Sequence, residues 1–303
     1  MRPRHVQSVI ALPTFSRTRI QHAGYSSVSQ KDPAPATVSL SPRWLSELKS
    51  RVGKCIMFGL QPEQTREAGS IVQEIAADWR ELIAGSEGFL TGKDRRGLYR
   101  QEVVWGEMYG ETTLDELVFL NQELLMYATG HVNNVTYNRY AEAGRIGWFH
   151  NFANILDPTH KREWSQLWTP VGDGLILRSI RTEFKFPMTW PDHVTVLHKL
   201  RSMPTQDTDH FTLDVLILSE LHRRPAARCQ EESVLYDYKK GEKIPLRPFM
   251  VDKFRETFEL QEKAKEKYGA RVLDLHSRVQ RLEKSSWDRP DAKEDMGRAN
   301  PDS

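Results

Sequence analysis

The feature that most constrains this chain is a long alternation past its middle. From Leu175 to Phe186 the apolar Ile176, Ile180, Phe184 and Phe186 alternate with Arg181, Glu183 and Lys185. A period of two places one face of a strand in a core and the other in water. Val194, Val196 and Leu200 repeat it, Phe211 to Leu221 is apolar on both faces as a central strand requires, and Cys229 to Tyr238 supplies another. Asp173-Gly174, Pro191-Asp192 and Lys240-Gly241 are turn pairs. An earlier strand, Gln101 to Met108, is separated from these by one helix over about Val135 to Ile155. The order β, α, β, β, β, β with short connections predicts an α+β fold, an antiparallel sheet wrapped around a central helix.

Helices flank this unit. Trp44, Leu45, Leu48, Val52 and Ile56 recur at helical spacing behind Ser41-Pro42, and Ala68, Ile71, Val72, Ile75, Ala76, Trp79, Leu82 and Ile83 form a second stripe that stops at Gly85. Near the C-terminus Tyr268, Val272, Leu275, Val279 and Leu282 follow a four-three spacing, a narrow seam on a charged helix. It predicts a solvated helix laid on the domain, with a short coiled coil as the alternative. The expected boundaries are therefore a linker over 32–41, a helical extension over 42–97, the sheet domain over 98–250, the charged helix over 251–285 and a disordered tail over 286–303.

Residues 1–31 hold Arg2, Arg4, Arg17, Arg19 and Lys31 with no acid, an Arg- and Ser-rich composition that predicts a mitochondrial transit peptide. Without those charges the net falls from +2 to about −3, so nothing supplies the basic excess that nucleic-acid binding needs. No run approaches the roughly eighteen apolar residues of an integral membrane segment. Cys55 and Cys229 stand far apart and outside any Cys/His cluster, against a disulfide framework or a zinc site. Zinc-protease, nucleotide-phosphate, dinucleotide and nucleophile-elbow motifs are absent. No metal or redox cofactor is implied.

The segment that carries chemistry is Gly130-His131-Val132-Asn133-Asn134-Val135-Thr136-Tyr137, running into Asn138-Arg139-Tyr140-Ala141-Glu142. Glycine permits close backbone approach, and three polar side chains stand where a helix begins. Its unsatisfied amides there suit a carbonyl oxygen that is becoming negative. Asn133 and Asn134 equally suit an ordinary helix start. Glu142 and Arg145 have the spacing of a surface ion pair. His193 and His198 read as exposed or partly buried residues flanking a strand. Arg178, Arg181, Lys199 and Arg201 are candidate phosphate contacts or simply exposed strand cations.

GHVNN followed by TYNRYAEAGR, the strand Glu102 to Met108 before it and the FKFPMTWPDHVTV run after it resemble the hotdog-fold thioesterases related to 4-hydroxybenzoyl-CoA thioesterase, and look like a fungal mitochondrial member. The resemblance covers about residues 98–240. It implies a homodimer with sheets joined edge to edge, an acyl-CoA or other acyl thioester as substrate, and hydrolysis by carboxylate-assisted attack at a helix-start oxyanion site. Carried over by position, His131, Asn133 and Glu142 become catalytic candidates and Gly130, Asn134 and Tyr137 substrate-binding ones. The family's Asp, three residues before the motif glycine, is here Tyr127, and Tyr109 to Thr129 stands between strand and motif where the family has almost nothing. That segment reads as a functional insertion or as translated intron, and Asp115 and Glu123 are its acids nearest to a replacement. The missing Asp leaves a second reading, a catalytically inactive mitochondrial acyl-binding or assembly module.

Overall fold

The alternating segments form one antiparallel sheet, but not every consecutive pair are neighbours: the strand over 173–184 pairs with the one over 224–237 and not with the one that follows it. The structure, a computed structural model, describes residues 41, 43–104, 130–205 and 207–294 of the chain. The 1–31 leader, the linker up to residue 40, residues 105–108 of the first strand, the 109–129 segment with Asp115, Glu123 and Tyr127, and the tail beyond 294 lie outside the described residues. Strands β1 (Leu98–Glu102), β2 (Asp173–Phe184), β3 (His193–Leu200), β4 (His210–Ser219) and β5 (Arg224–Asp237) form one antiparallel sheet ordered β1-β3-β4-β5-β2, with the short β6 (Glu242–Lys243) against β5. β1 begins three residues before the expected start, and β5 five before it. Its opening Arg224-Pro225 gives no apolar signal, and only pairing with Ser219 and Leu218 makes it strand.

Pairing of Leu213 with Glu231 and of Ile180 with Glu231 puts Val196, His198, Leu213, Val215, Cys229 and Glu231 on one face of the sheet. The central helix α3 (Asn134–Asn151) lies there, seating Tyr137, Tyr140 and Ala141 on Val194, Val196, Val215, Ile217 and Ala227. It ends four residues before the expected Ile155, because Phe152–Leu156 continues as a π-turn. Trp148, Phe149 and Phe152 extend the core to Trp164 on α4 (Lys161–Gln166), a short helix without a sequence signal. Ile146 faces the other way, 43% exposed on the outer side of α3.

The opposite face carries Leu197, Leu216 and Leu218, and three helices cover them: α1 (Trp44–Met57), α2 (Pro62–Ile83) and α5 (Pro248–Ser285). Val272, Leu275, Val279 and Leu282 of α5 are buried against α1 and α2, so the seam is satisfied within the chain as a helix laid on the domain. Each such buried aliphatic side chain contributes about 1.5–3 kcal/mol. Arg271 reaches Glu74 and Asp78 at 2.8 and 2.6 Å, Arg278 reaches Glu67 and Glu74 at 2.6 and 2.9 Å, and Arg51 reaches Glu283 at 2.7 Å. Three stripe positions face outward, Ile56 at 53% and Val72 at 41% exposure together with Ala76; Cys55 takes the buried place expected for Ile56.

The link from α2 to β1 crosses α3 at its glycines. Gly97 N–H donates to Val196 O at 3.0 Å, and Asn151 Nδ2 donates to Arg96 O at 2.9 Å. A Cβ on Gly97 would collide with the Gly144 carbonyl and one on Gly147 with the Gly97 carbonyl, so side-chain-free backbone at Gly97 and Gly147 permits the crossing, while a Cβ on Gly144 would strike His198 and Val196 of β3.

Candidate active site

The start of α3 is built by its own polar residues. Asn133 is extended (φ −60°, ψ 140°), and its Oδ1 accepts the Val135 N–H at 3.0 Å, which makes it the N-cap. Thr136 N–H bonds the Asn133 carbonyl at 2.9 Å. The Asn134 amide, first in the helix, has no acceptor among the described residues, and the residue is exposed. One outward donor thus remains at the positive end of the helix.

The segment after β2 braces this mouth. Val132 N–H donates to Met188 O at 2.8 Å. The Tyr137 hydroxyl donates to Phe186 O at 3.3 Å and accepts the Met188 N–H at 3.1 Å, while its ring meets Phe184 edge-on at 5.3 Å. Tyr137 is 2% exposed; burial pushes its phenol above the ordinary value, opposed by the Met188 amide. His131 is half-buried with Nδ1 3.3 Å from Val132 O, and Gly130 is exposed. Gly130, His131, Asn133 and Asn134 therefore share one mouth with Tyr137 buried behind it. Glu142 is exposed further along α3, eight residues from Asn134, which is about 12 Å along the axis at 1.5 Å per residue.

The expected Glu142–Arg145 surface pair does not form. Arg145 turns inward and meets Glu231 at 2.7 Å, with side chains 5% and 0% exposed, because the buried carboxylate offers a partner in low dielectric that exposed Glu142 cannot match. His198 lies in the middle of β3 rather than beside it, 1% exposed, with Nε2 4.0 Å from Glu231 Oε2 and Cε1 under Gly144. Burial, then the Arg145 charge, push its imidazole down to about 3, so it is neutral at pH 7. Burial also holds the Glu231 carboxyl above its usual range, with Arg145 opposing. Sequence reading missed Glu231. Its signal was register: it shares the inward face of β5 with Cys229, where an acid needs a buried cation.

Asp192 is the other buried acid near the mouth. Its oxygens accept Ser219 Oγ at 2.5 Å, His193 N–H at 2.6 Å and Leu221 N–H at 3.0 Å, so it holds two turns together. On the far face a cavity of about 190 Å³ is lined by Lys199, Arg201, Asp214, Arg228 and Glu87 among others. The strand cations singled out as phosphate candidates are all engaged. Arg178 meets Glu232 at 2.8 Å, Arg181 meets Glu183 at 3.2 Å, Lys199 donates to Glu87 O at 2.6 Å and Arg201 meets Asp214 at 2.7 Å.

The family model for the thioesterase-like superfamily matches residues 103–254, half of the chain. The chain belongs to the thioesterase-like superfamily. The match takes in α3 and β2 to β5 and leaves out α1, α2 and most of α5. No curated protein matches the chain. Among solved structures it is similar to a thioesterase from Thermus thermophilus complexed with coenzyme A and zinc, at 18% identity and TM-score 0.38, over 56% of this chain and 98% of that one. It is also similar to a 1,4-dihydroxy-2-naphthoyl-CoA thioesterase from Synechocystis, at 14% identity and TM-score 0.37, over 52% and 94%. A DHNA-CoA thioesterase from Staphylococcus aureus gives 12% identity and TM-score 0.38, over 55% and 94%. The sheet wrapped on α3 is the hotdog fold in this thioesterase-like chain.

Proposed function

We propose that this thioesterase-like protein hydrolyses an acyl thioester of the coenzyme A class. The observation that carries the reading is the outward Asn134 amide at the positive end of α3, capped by Asn133 and braced by Tyr137. The thioester oxygen accepts the Asn134 N–H, water adds to the carbonyl carbon, and its proton passes to a carboxylate. The C–S bond then breaks and the leaving thiolate takes that proton. His131 lines the reacting centre beside Gly130, while Tyr137 acts through the Phe186–Met188 segment rather than by touching substrate.

Glu142 supplies the carboxylate. One chain cannot bring Glu142 and Asn134 to a single carbonyl across about 12 Å of helix, so the carboxylate comes from the partner subunit's Glu142 in a homodimer. The twelve-residue β2, paired among the described residues with β5 alone, is the longer of the two edge strands and the one we assign to joining two copies. Residues 1–31 direct the protein to mitochondria.

A second reading has its own support: Asp192 is spent on turns and Glu231 on Arg145, so neither buried acid is free to act as base. In that reading the protein is a mitochondrial acyl-binding or assembly module without turnover. Thiol release from acyl-CoAs of graded chain length separates the two. The hydrolase reading expects turnover by the wild type and a fall in kcat of about 10²–10⁴-fold for Glu142→Gln. Tight binding without thiol release establishes the silent module instead.

A further inference from the structure

Among the described residues most half-buried arginines are matched by acids; Arg96, laid on the Tyr99 ring at 3.4 Å, and Arg224 at the β4–β5 turn are not, and of the two Arg224 keeps a buried Nε without an acceptor. Arg80 pairs with Glu220, Arg145 with Glu231, Arg228 with Glu87 and Arg278 with Glu67 and Glu74. Arg224 is half-buried and makes no ion pair among the described residues, and its buried Nε has no hydrogen-bond acceptor. Its guanidinium lies 4.5 Å over the Phe186 ring, against which His222 packs at 4.6 Å. The neighbouring charge that acts on it is another cation, Arg43, at the start of α1 and likewise without an ion pair. Burial and Arg43 both press the Arg224 guanidinium below its ordinary value. Arg223 adds an exposed third cation to the turn, in left-handed backbone at φ 50°. A partly desolvated guanidinium opposed by a second one is unfavourable unless an anion completes it, and its planar fork suits phosphate oxygens.

The position is equally specific. Phe186, which carries Arg224 on its ring, accepts the Tyr137 hydroxyl through its carbonyl, so Arg224 stands beside the brace of the α3 mouth. Arg43 belongs to the helical extension, outside the stretch that matches the superfamily. We infer that Arg224 and Arg43, with Arg223 at the rim, form a phosphate-binding site at the junction of the extension and the sheet. Resting on the hydrolase reading, the phosphate belongs to the coenzyme A of the substrate, or to the phosphopantetheine of a carrier protein.

The test uses the full chain and the variants Arg224→Gln, Arg43→Gln and Arg224→Lys, each checked for folding by circular dichroism. Binding of coenzyme A and of inorganic pyrophosphate is measured by calorimetry at fixed ionic strength. kcat and KM are measured with an acyl-CoA, with the same acyl group on a carrier protein and with it on N-acetylcysteamine, which has no phosphate. The expected result is at least tenfold weaker binding of both probes by Arg224→Gln, a smaller loss for Arg43→Gln, and partial retention by Arg224→Lys. KM for acyl-CoA rises in step, while kcat and the N-acetylcysteamine constants stay put. The same KM rise confined to the carrier-protein substrate assigns the phosphate to that source. Probe binding lost on Arg224→Gln in a protein that cleaves no thioester supports the site and removes the hydrolase reading. Binding of both probes within twofold of wild type in Arg224→Gln, or no binding of either by the wild type, overturns the site.

Discussion

Replacing Arg145 by methionine strands a charge beneath the central helix, and its cost can be worked out. Arg145 Nη1 is 2.7 Å from Glu231 Oε1, with 5% and 0% of the side chains exposed, so water cannot take over the lost contact. Breaking such a pair by removing one partner costs about 3–5 kcal/mol, a large part of the roughly 5–15 kcal/mol that holds a domain folded. At an m-value of about 2 kcal/mol/M the urea midpoint falls by about 1.5–2.5 M. Arg145→Met/Glu231→Leu removes both charges and recovers to within about 1 kcal/mol of wild type, or exceeds it. The single variant also acquires a pH signature. Burial already holds the Glu231 carboxyl above its unfolded value, and without Arg145 it rises further. Its protonated form then fits the folded state, so the deficit is smallest below the unfolded value of about 4.3 and grows as pH rises through the folded one. Urea titrations at several pH values measure this. A single-variant cost under about 1 kcal/mol, or a double variant no better than the single, refutes the argument.

Other substitutions test separate parts of the structure. His198, held down to about 3, is neutral when folded and protonated when unfolded between about pH 6.5 and 3, so it drains stability across that window by up to about 1.4 kcal/mol per pH unit. His198→Gln, read by thermal melts, should flatten the acid side of the profile, and an unchanged slope rejects the neutral assignment. Gly144→Ala places a Cβ 2.8 Å from His198 Cε1 and Val196 Cγ1 and should cost about 1–3 kcal/mol in urea unfolding; a neutral result means that α3 is free to shift. Asn133→Ala should lose about 1 kcal/mol of cap energy, and Asn133→Ser should restore it. If Ser restores stability but not turnover, Asn133 touches the reaction rather than only the helix. Arg278→Ala should destabilise by about 1 kcal/mol in low salt and less in high salt, as expected for a partly exposed network.

The antiparallel sheet was legible because period-two runs and turn pairs are local signals, but its strand order was not, since β2 pairs with β5 and not with the β3 that follows it. The α5 seam was legible as a stripe, but its partner was not, since spacing identifies an apolar face and not what covers it. Motif reading singled out Gly130 to Tyr137, which stand together at the start of α3. It missed the Arg145–Glu231 pair because the residues lie 86 apart in sequence and meet through strand register. Helical spacing suggested Glu142 for Arg145, yet Arg145 occupies the buried side of α3 and Glu142 the exposed one. Arg224 gave no signal in a turn rich in cations; that no acid among the described residues pairs with it is a property of three dimensions.

The helical layer also sets an order of events. Its ion pairs join residues about two hundred positions apart, Arg51 to Glu283 and Arg278 to Glu67 among them. During synthesis α1 and α2 emerge early with their apolar stripes formed, and the helix that covers those stripes emerges last. Contacts of such long separation are slow to close, and uncovered apolar faces invite association in the meantime. The helices α1 and α2 on one side and α5 on the other thus act as a clasp, and a product cut short before residue 270 keeps its sheet strands while leaving the clasp open.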